Sequence, residues 1–436
     1  MDNVAERVNT KHEVAFSSGR NGDSRLARTL LGRAALASVA VLSFALSASP
    51  AVASVGATAG TALPLPAGDQ LLVGKAVHVS GNRAIVSAPV RDNGGLVSAY
   101  VFGRADAASP WVFDEALSPV PGVDDTVDFG TDVAIDGEWA AVGAFEFAGG
   151  IGAIFVFHEV DGSWQYEHTI EPPVLQGGLR FGHALALSGS TLLAPSVSGY
   201  VASYELQAGS LAAPVFLAPP AEFELGAFGV AVAIDGQTAV VGAPAAREGQ
   251  GAAYVYERIG NDWGSGQELS EPGSFSLGMF VDLSNGLALV GSAAAGHVFD
   301  GAQAWAPAGT LQLESPDVVE IGEGALSGDV AALTGANSQG DLSVFVFQNE
   351  GGWRLQTEVT PTVPSPTFGT SVSLSGRTLL IGDQGANDSA GEGLSFDLVD
   401  IAGVAATPFT GPVGGLGLAA LLAALGWVGV GRRRRA

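Results

Sequence analysis

The chain has no cysteine among its 436 residues. It can therefore form neither disulfides nor thiolate metal sites, and burial of apolar side chains has to stabilise the fold. Basic residues are scarce as well. Of the 19 Lys and Arg, six precede residue 54 and four follow residue 431, which leaves nine between Ser54 and Thr410, and Lys75 is the only lysine among them.

The same segment carries 40 acidic residues, since four of the 44 precede residue 54, so its formal charge is −31. Such a surface repels phosphate backbones and anionic headgroups, which argues against nucleic acid or a lipid surface as a partner. Aromatic residues make up only 8% of the chain although 47% is hydrophobic, so the buried surface is mainly aliphatic. With 62 glycines to supply turns, this composition favours many short strands.

The first 53 residues have the features of a signal peptide with an extended polar start. Three arginines between residues 25 and 33 precede the apolar run 34–48, and Ala51-Val52-Ala53 is the small-x-small pattern that a signal peptidase recognises. We expect cleavage near Ala53. An uncleaved anchor or a misassigned start would also explain the long polar segment, whereas a buried helix is disfavoured because the segment precedes all the repeats described below.

The other end of the chain contains a candidate membrane span, residues 414–431, followed by four arginines up to Arg435. At ~1.5 Å per residue this run reaches roughly 27 Å, enough to cross a bilayer core, and the arginines should stay cytoplasmic. The tripartite end resembles bacterial C-terminal sorting signals of the exosortase or rhombosortase type, although Pro-Glu-Pro is absent and the peptidase stays open. The resemblance implies that 414–435 anchors the chain in the inner membrane transiently and that 401–413 is a linker.

One phrase recurs along the body of the chain. FGTDVAIDGEWAAVGA begins at Phe129, FGVAVAIDGQTAVVGAP at Phe228 and FGTSVSLSGRTLLIGDQ at Phe368. A recurring phrase indicates a recurring structural unit. Aligned on the glycine that follows the first residue, the seven copies are anchored at Gly74, Gly130, Gly182, Gly229, Gly278, Gly322 and Gly369.

Within each copy the pattern predicts four antiparallel strands. Large and small residues alternate after the anchor glycine, a dipeptide such as Asp235-Gly236 marks a two-residue hairpin, and a second apolar strand ends at Gly-Ala-Pro or a relic of it. A third strand such as 153–157 follows. In five copies a tryptophan marks the fourth strand: Trp111, Trp164, Trp263, Trp305 and Trp353. Four such strands make one blade of a β-propeller.

We therefore predict an all-β protein whose residues 72–400 form a seven-bladed β-propeller of four-stranded antiparallel blades. Each blade has two apolar faces, so the blades have to stack radially and the ring has to close. The seventh copy ends near Asp400 without a fourth strand. Within segment 54–71 we expect Thr61 to Leu65 to supply the outer strand of that last blade.

The succession Phe-Gly, strand, Val-Gly-Ala-Pro and Gly-x-x-Tyr-Val-Tyr resembles the FG-GAP repeat of integrin α-chain propellers and of many bacterial surface proteins. The resemblance spans about Leu72 to Val399 and is strongest in the second and fourth copies. Members that bind calcium place a run of Asp, Asn and Gly between the first two strands. Here that connection is a two-residue hairpin with single carboxylates such as Asp136 and Asp235, so we expect no metal site and no cofactor.

No catalytic grouping is evident in the sequence, so we expect a protein that is not an enzyme. The histidines beyond residue 53 occupy unrelated repeat positions without metal-ligand spacing, and neither a nucleophile elbow nor a phosphate loop is present. We interpret these histidines as surface or hydrogen-bonded strand residues. Two acidic clusters, Asp124-Asp125 with Asp128 and Asp383 with Asp388 and Glu392, could bind a divalent ion or a basic partner, but solvated acid is the simpler interpretation.

Binding by a propeller is expected at the end of the ring where the connections between strands two and three lie beside the blade-to-blade connections. The candidate binding residues there are Arg91, Asp92, Phe145, Glu146, Arg180, Arg247 and Glu248. Arg91 and Arg247 stand out because basic residues are so scarce. Arginine beside an aromatic or acidic neighbour is a common contact residue, but an ion pair within a blade explains the pattern equally well.

The leading hypothesis is an exported, monomeric scaffold at the cell surface, on the outer membrane or in the extracellular matrix, which binds a protein or glycan without catalysis. One alternative is a secreted polysaccharide-active enzyme with the mouth of the ring as its cleft. Two carboxylates, or a histidine and an acid, close together in the mouth would favour the enzyme. The other alternative is a purely structural matrix component.

Overall fold

The computed structural model describes residues 54–66, 70–91, 98–119, 128–173, 180–197, 199–219, 228–313 and 318–401. Seven antiparallel sheets, one for each sequence repeat, form a seven-bladed β-propeller, as the repeat count predicts. In these ranges no helix is long and apolar enough to cross a membrane. The predicted signal peptide and the predicted span 414–431 lie outside the described residues.

The strands begin and end as follows: β1 (Ser54–Ala57), β2 (Thr61–Ala62), β3 (Gln70–Leu71), β4 (Val77–Ser80), β5 (Arg83–Ala88), β6 (Val90–Arg91), β7 (Ser98–Gly103), β8 (Val112–Leu117), β9 (Phe129–Asp136), β10 (Trp139–Ala144), β11 (Ala153–Val160), β12 (Ser163–Ile170), β13 (Ala186–Ser188), β14 (Thr191–Ser196), β15 (Tyr200–Gln207), β16 (Ser210–Leu211), β17 (Val215–Leu217), β18 (Val232–Asp235), β19 (Thr238–Ala243), β20 (Ala252–Ile259), β21 (Asp262–Trp263), β22 (Gln267–Leu269), β23 (Val281–Ser284), β24 (Leu287–Gly291), β25 (Ala295–Asp300), β26 (Ala306–Gln312), β27 (Val318–Ser327), β28 (Val330–Asn337), β29 (Leu342–Asn349), β30 (Trp353–Val359), β31 (Phe368–Ser375), β32 (Thr378–Asp383) and β33 (Glu392–Ile401). Short helical turns occur at Phe147–Gly150, Arg247–Gly249, Gly301–Gln303 and Ala386–Ser389.

The blades follow the chain in order. Blade 1 is β4-β5-β7-β8, blade 2 is β9 to β12, blade 5 is β23 to β26 and blade 6 is β27 to β30. Blades 3 and 4 each divide the outer strand into two short pieces, β16 and β17 in blade 3 and β21 and β22 in blade 4. Blade 7 contains β31, β32 and β33 together with the N-terminal strands β1 and β2. A small pair, β3 with β6, lies apart from the blades.

The hairpins between first and second strands are two-residue turns, as the dipeptides predict, but in six of the seven the residue before the glycine pairs with the second strand, so that glycine is the first turn residue and not the second. The glycine of each dipeptide has a positive φ, between 56° and 76°, which an L side chain adopts only with strain. Because strand direction alternates, these turns all lie at one end of the ring, which we call the hairpin face. The connections between second and third strands and between blades lie at the other end, which we call the loop face.

The glycines of the repeated phrase have a role in packing that the sequence pattern does not reveal. A Cβ on Gly242, the glycine of Gly-Ala-Pro in blade 4, would overlap the carbonyl oxygen of the next blade's anchor, Gly278. The same overlap would occur between Gly143 and Gly182 and between Gly382 and Gly74. Bare backbone at both positions therefore lets neighbouring blades approach closely on the loop side.

The ring closes through the N-terminal segment, as predicted, but with different strand bounds from those expected. The outer strand of blade 7 begins at Ser54, which pairs with Ile401, and continues as Thr61–Ala62, which pairs with Ser395 and Leu394. The predicted strand from Thr61 to Leu65 therefore lies in the correct blade, but the observed outer strand begins earlier in the chain, at Ser54, and ends at Ala62. β1 lacks the large apolar alternation that identified the other strands, because its sequence is SVGA.

Side chains of each innermost strand bond the neighbouring blade at the hairpin face. Five junctions use a Ser or Asp that accepts a hydrogen bond from the next turn's backbone N–H, at 2.6 to 3.1 Å: Asp136 from Gly189, Ser188 from Gly236, Asp235 from Asn285, Ser284 from Gly328 and Ser327 from Gly376. At the remaining two junctions Ser375 accepts from Gly81 N–H at 2.9 Å and the Ser80 hydroxyl donates to Asp136 at 2.6 Å. We call this closed series the junction ring. It satisfies N–H groups that an edge strand would otherwise leave unpaired.

Candidate functional site

The loop face carries a cluster of two cations around one aromatic ring. Lys75 Nζ lies 5.7 Å from the centre of the Phe145 ring, and the Arg180 guanidinium carbon lies 5.5 Å from it. Both distances are within the range of a cation–π interaction, about 0.5–1 kcal/mol at exposed sites. We call Lys75, Phe145 and Arg180 the basic–aromatic cluster.

Three different blades position the cluster. Lys75 follows the anchor glycine of blade 1, Phe145 follows the second strand of blade 2, and Arg180 precedes the anchor of blade 3. Lys75 also forms an ion pair with Asp128, with Nζ 3.1 Å from Oδ1. The close approach of the blades at their glycines therefore brings together residues that are up to 105 positions apart in the sequence.

Arg180 is fixed by its backbone. Its φ is +43°, a left-handed conformation that is unusual for a residue other than glycine. Its N–H donates to the Gly150 carbonyl at 3.1 Å, and its own carbonyl oxygen lies 2.9 Å from Nδ1 of His183. Strain of this kind, held in place by surrounding hydrogen bonds, is concentrated at functional sites in proteins.

Most of the scarce basic residues form ion pairs. Six of the nine do so, and five of those pair across a blade boundary: Lys75 with Asp128, Arg83 with Glu159, Arg104 with Asp397, Arg258 with Glu205, and Arg377 with Asp329. Within the ranges that the structure describes, the side chains of Arg180 and Arg354 have no acidic partner. Of these two, only Arg180 contacts an aromatic ring.

The other candidate residues do not join the cluster. Arg247 forms an ion pair with Glu268 of its own blade at 2.6 Å, which is the intrablade alternative considered from the sequence. Glu248 lies beside it in a short helical turn and has a φ of +58°. Glu146 is exposed next to Phe145. Arg91 ends β6, but its side chain and all of Asp92 lie outside the described residues.

A channel of about 600 Å³ runs along the axis between the innermost strands of all seven blades. Five carboxyl groups line it: Asp132 and Asp136 of blade 2, Asp235 of blade 4, Asp282 of blade 5 and Glu323 of blade 6. Burial among protein atoms raises the pKa of Asp132 to about 6 and that of Asp282 to about 7. The wall of the channel desolvates Glu323 although its side chain is open to the channel, and this desolvation, with a smaller repulsion from Asp132, raises its pKa to about 8.

These carboxyl groups differ in what they contact. Asp132 accepts a hydrogen bond from Leu185 N–H at 2.7 Å, and Asp282 accepts one from Leu326 N–H at 2.6 Å, so both connect neighbouring blades. Glu323 has no hydrogen-bond partner within the part of the chain described, and its side chain is open to the water of the channel. It lies on a bulge where Gly322 and Glu323 together oppose Thr334, and a bulge of this kind re-aims a side chain.

His78 also lines the channel. Its Nδ1 accepts a hydrogen bond from Ile135 N–H at 3.2 Å, and burial lowers its pKa despite the nearby Asp136 carboxylate. The imidazole is therefore neutral near pH 7 and links blades 1 and 2. Among the described residues no three His, Asp or Glu side chains are grouped so that they could hold a metal ion.

The acidic cluster expected in the last blade is partly buried, contrary to the interpretation as solvated acid. Asp383 ends β32 and is 3% exposed, and it accepts hydrogen bonds from the hydroxyls of Ser365 at 2.8 Å and Thr367 at 2.6 Å. Its side chain points inward because these two hydroxyls lie inside the fold next to the end of a buried strand. In the other cluster Asp128 pairs with Lys75, while Asp124 and Asp125 lie outside the described residues.

Sequence reasoning missed Lys75, Asp132, Asp282 and Glu323. For two of them the signal was available in the alternating pattern: Asp132 is the second residue after its anchor glycine and Asp282 the fourth, and each interrupts an apolar strand. In the fold both point towards the next blade, where they accept from its backbone. Lys75 and Glu323 directly follow their anchor glycines.

Comparisons with known proteins support part of this description. Residues 226–256 match the FG-GAP repeat family. No curated protein matches the chain. Two solved structures align with it: "Crystal Structure of Mitotic Checkpoint Complex", at 14% identity and a TM-score of 0.49, covering 83% of this chain and 99% of that chain, and the computationally designed Ika8 protein, at 13% identity and a TM-score of 0.44, covering 77% and 98%.

Proposed function

We propose that this FG-GAP propeller is an exported scaffold that binds a protein or glycan of the cell surface or extracellular matrix through its loop face, without catalysing a reaction. The observation that carries the proposal is the basic–aromatic cluster. In a body with so few basic residues, most of which bind the propeller's own acids, an arginine that has no acidic partner among the described residues and lies beside an aromatic ring has the composition of a contact site.

The geometry of the chain ends supports the choice of face. Ser54 pairs with Ile401, so the chain enters and leaves the propeller at the same edge of blade 7. That pair lies beyond the pair Thr378 with Asp397, next to the hairpin turn of the blade, and therefore at the hairpin face. If residues 414–435 anchor the chain, the hairpin face is the nearer one to the membrane and the loop face points outward.

Single cysteines test this orientation, because the chain has none of its own. Glu146→Cys lies on the loop face and Asp161→Cys in a hairpin-face turn, and both positions are exposed. On intact producing cells, a membrane-impermeant maleimide should label both variants, and Glu146→Cys faster. Labelling of neither variant would contradict export, and faster labelling of Asp161→Cys would contradict the orientation.

Retention by isolated cell-envelope material tests binding itself. The purified full chain should sediment with the envelope, and Phe145→Ala combined with Arg180→Gly should lower the retained fraction several-fold. Arg354→Ala is the matched control, since it removes from blade 6 an exposed arginine that has no acidic partner among the described residues. Equal retention of all three proteins would contradict binding through the loop face.

A specific observation also favours the enzyme as a second candidate. The Asp132 carboxylate contributes to the raised pKa of Glu323 from across the channel, and a carboxyl with a raised pKa that faces a second carboxyl is the arrangement that glycoside hydrolysis uses. Asp132, however, is occupied by a backbone N–H of the next blade. Release of reducing ends from envelope polysaccharide by the native chain, lost in Glu323→Gln, would establish this second function. Equal background release by both proteins would remove it.

A further inference from the structure

We propose that the basic–aromatic cluster binds one carboxylated sugar unit, a uronic acid residue of a glycan, through the guanidinium of Arg180. The inference rests on the proposed function, since it names the class of ligand that the loop face takes. The structural relationship behind it is an exposed arginine that has no acidic partner among the described residues, whose backbone is hydrogen-bonded in place and whose guanidinium lies beside a half-buried aromatic ring.

The first step concerns the availability of the guanidinium. Arg180 is exposed and has no ion pair within the described residues. Lys75, which lies near the same Phe145 ring, is already paired with Asp128. A planar guanidinium binds a carboxylate through two parallel N–H bonds, which a lysine cannot do. Among the described residues, the cluster therefore has one guanidinium, that of Arg180, without a carboxylate partner, and one ammonium, that of Lys75, which is paired with a carboxylate.

The second step concerns rigidity. The left-handed backbone of Arg180 is fixed by the bond to Gly150 and by the contact with His183, and the Phe145 ring limits the guanidinium to one side. A donor held in place in the free protein loses less conformational entropy when it binds. One sugar unit makes few contacts with a protein, so these contacts can offset only a small loss of conformational entropy.

The third step distinguishes a sugar from a peptide. Peptides dock by adding a strand to a free sheet edge or by filling an apolar groove. Beside Arg180 the edge is occupied, because Phe181 forms a parallel bridge with Gly152. The neighbouring positions, Glu146 and Ala148, are exposed, so they do not line a buried apolar groove. A shallow site with one donor fork and one aromatic ring fits a single sugar ring with one carboxylate.

The fourth step concerns charge density. The chain has a formal net charge of −25, so it repels a polyanion at long range and attracts a carboxylate only at contact. Salt screens charges farther apart than about 8 Å at physiological ionic strength, which weakens the repulsion more than the contact pair. Sparsely carboxylated glycans are therefore favoured over densely charged ones, and moderate salt should not abolish binding.

The test is a ligand-observed NMR titration of the full chain in detergent. The probes are glucuronic acid, glucose as the uncharged sugar and N-acetylglutamic acid as the peptide-like carboxylate. The variants are Arg180→Gly, which removes the side chain and relaxes the strained φ so that the fold is retained, and Arg354→Ala, which removes the same charge elsewhere.

We expect glucuronic acid to bind the native chain and the Arg354→Ala variant equally, and to bind Arg180→Gly about tenfold more weakly or worse. Glucose and N-acetylglutamic acid should bind the native chain about tenfold more weakly than glucuronic acid. The proposal is overturned if glucuronic acid does not bind, if Arg180→Gly binds it equally, or if N-acetylglutamic acid binds as tightly. Loop-face retention by the envelope would still stand in those cases, so failure of the ligand class is distinguishable from failure of the proposed function.

Discussion

Gly242 of blade 4 and Gly278 of blade 5 meet backbone to backbone, with no room between them for a methyl group. This contact explains in physical terms why the two glycines of the repeated phrase recur together. The anchor glycine of one blade is the surface against which the second strand of the preceding blade packs. Gly242 is required by this neighbour, and Gly278 is required both by the contact and by its own φ of +93°.

Gly242→Ala should therefore destabilise the propeller by about 1–3 kcal/mol, because blades 4 and 5 have to separate locally. Gly322→Ala is the control. It is the anchor glycine of the sixth copy, but it has no positive φ and only the Thr334 Cβ lies near it, at 4.0 Å. Chemical denaturation of both variants checks this, and an equal loss of stability would contradict the backbone contact as the cause.

The junction between blades 7 and 1 should be sensitive to loss of three hydroxyls. Ser371, Ser373 and Ser375 accept hydrogen bonds from N–H groups of Val77, Val79 and Gly81 at 2.9 to 3.0 Å. Replacing all three by alanine should cost about 1 kcal/mol for each bond, since the N–H groups lose their partners. Thermal melting of the triple variant, compared with Ser163→Ala at an exposed position, measures the effect. No change in melting temperature would show that water replaces the hydroxyls.

Arg104 should contribute more than an ordinary surface arginine. Its side chain is 4% exposed, its guanidinium donates to the Thr378 hydroxyl at 2.7 Å, and it lies 4.3 Å from the Trp111 ring centre. Arg104→Ala removes the bond to blade 7 and the ring contact within blade 1, and we expect a loss of about 2–3 kcal/mol. Arg354→Ala should stay within about 0.5 kcal/mol of the native chain. Similar unfolding midpoints for the two variants would contradict the role of Arg104.

The stability of the propeller should rise as pH falls from about 8 to about 5. Asp132, Asp282 and Glu323 have pKa values of about 6, about 7 and about 8 in the folded chain, above the ordinary values that they regain on unfolding. In this window the folded state holds protons that the unfolded state releases, so stability is lost as pH rises through the folded pKa values. His78 and His183, whose pKa values are lowered by burial, oppose this trend below about pH 6.

Glu323→Gln isolates one of these groups. Because Glu323 has no hydrogen-bond partner within the described residues, the amide removes the charge without removing a bond. The variant should be more stable than the native chain at pH 8, and the two should converge at pH 5. Since channel water screens the charge, the pH dependence of the difference is the readout. A difference that does not change with pH would contradict a titrating carboxyl at this position.

The repeat predicted the architecture because each copy carries local signals that depend on near neighbours in the chain. The glycine after Asp235 fixes a tight turn by its φ, and alternation around Val232 fixes a strand. The closing strand was placed less well, since SVGA at Ser54–Ala57 has little alternation and pairs only because β33 has a free edge.

The candidate site was only partly accessible from the sequence. Phe145 and Arg180 were found because loops near anchor glycines share one face, but their contact with Lys75 depends on how closely blades approach. The role of Arg247 depends on Glu268, which is 21 positions away on another strand of the blade. Asp132 and Asp282 were missed because they stand in otherwise apolar strands. Only the fold shows that they accept hydrogen bonds from backbone N–H groups of the neighbouring blade's innermost strand.

Closure of the ring by the N-terminal segment is the central structural claim, and one disulfide tests it most directly in a chain without cysteine. Ala62 and Leu394 are opposite each other in β2 and β33, so Ala62→Cys with Leu394→Cys should form an intramolecular disulfide under mild oxidation and raise the melting temperature. Ala62→Cys with Ile259→Cys, in blade 4, should form none. A folded double variant at 62 and 394 that stays reduced, or that forms only disulfide-linked dimers, would contradict the closed ring.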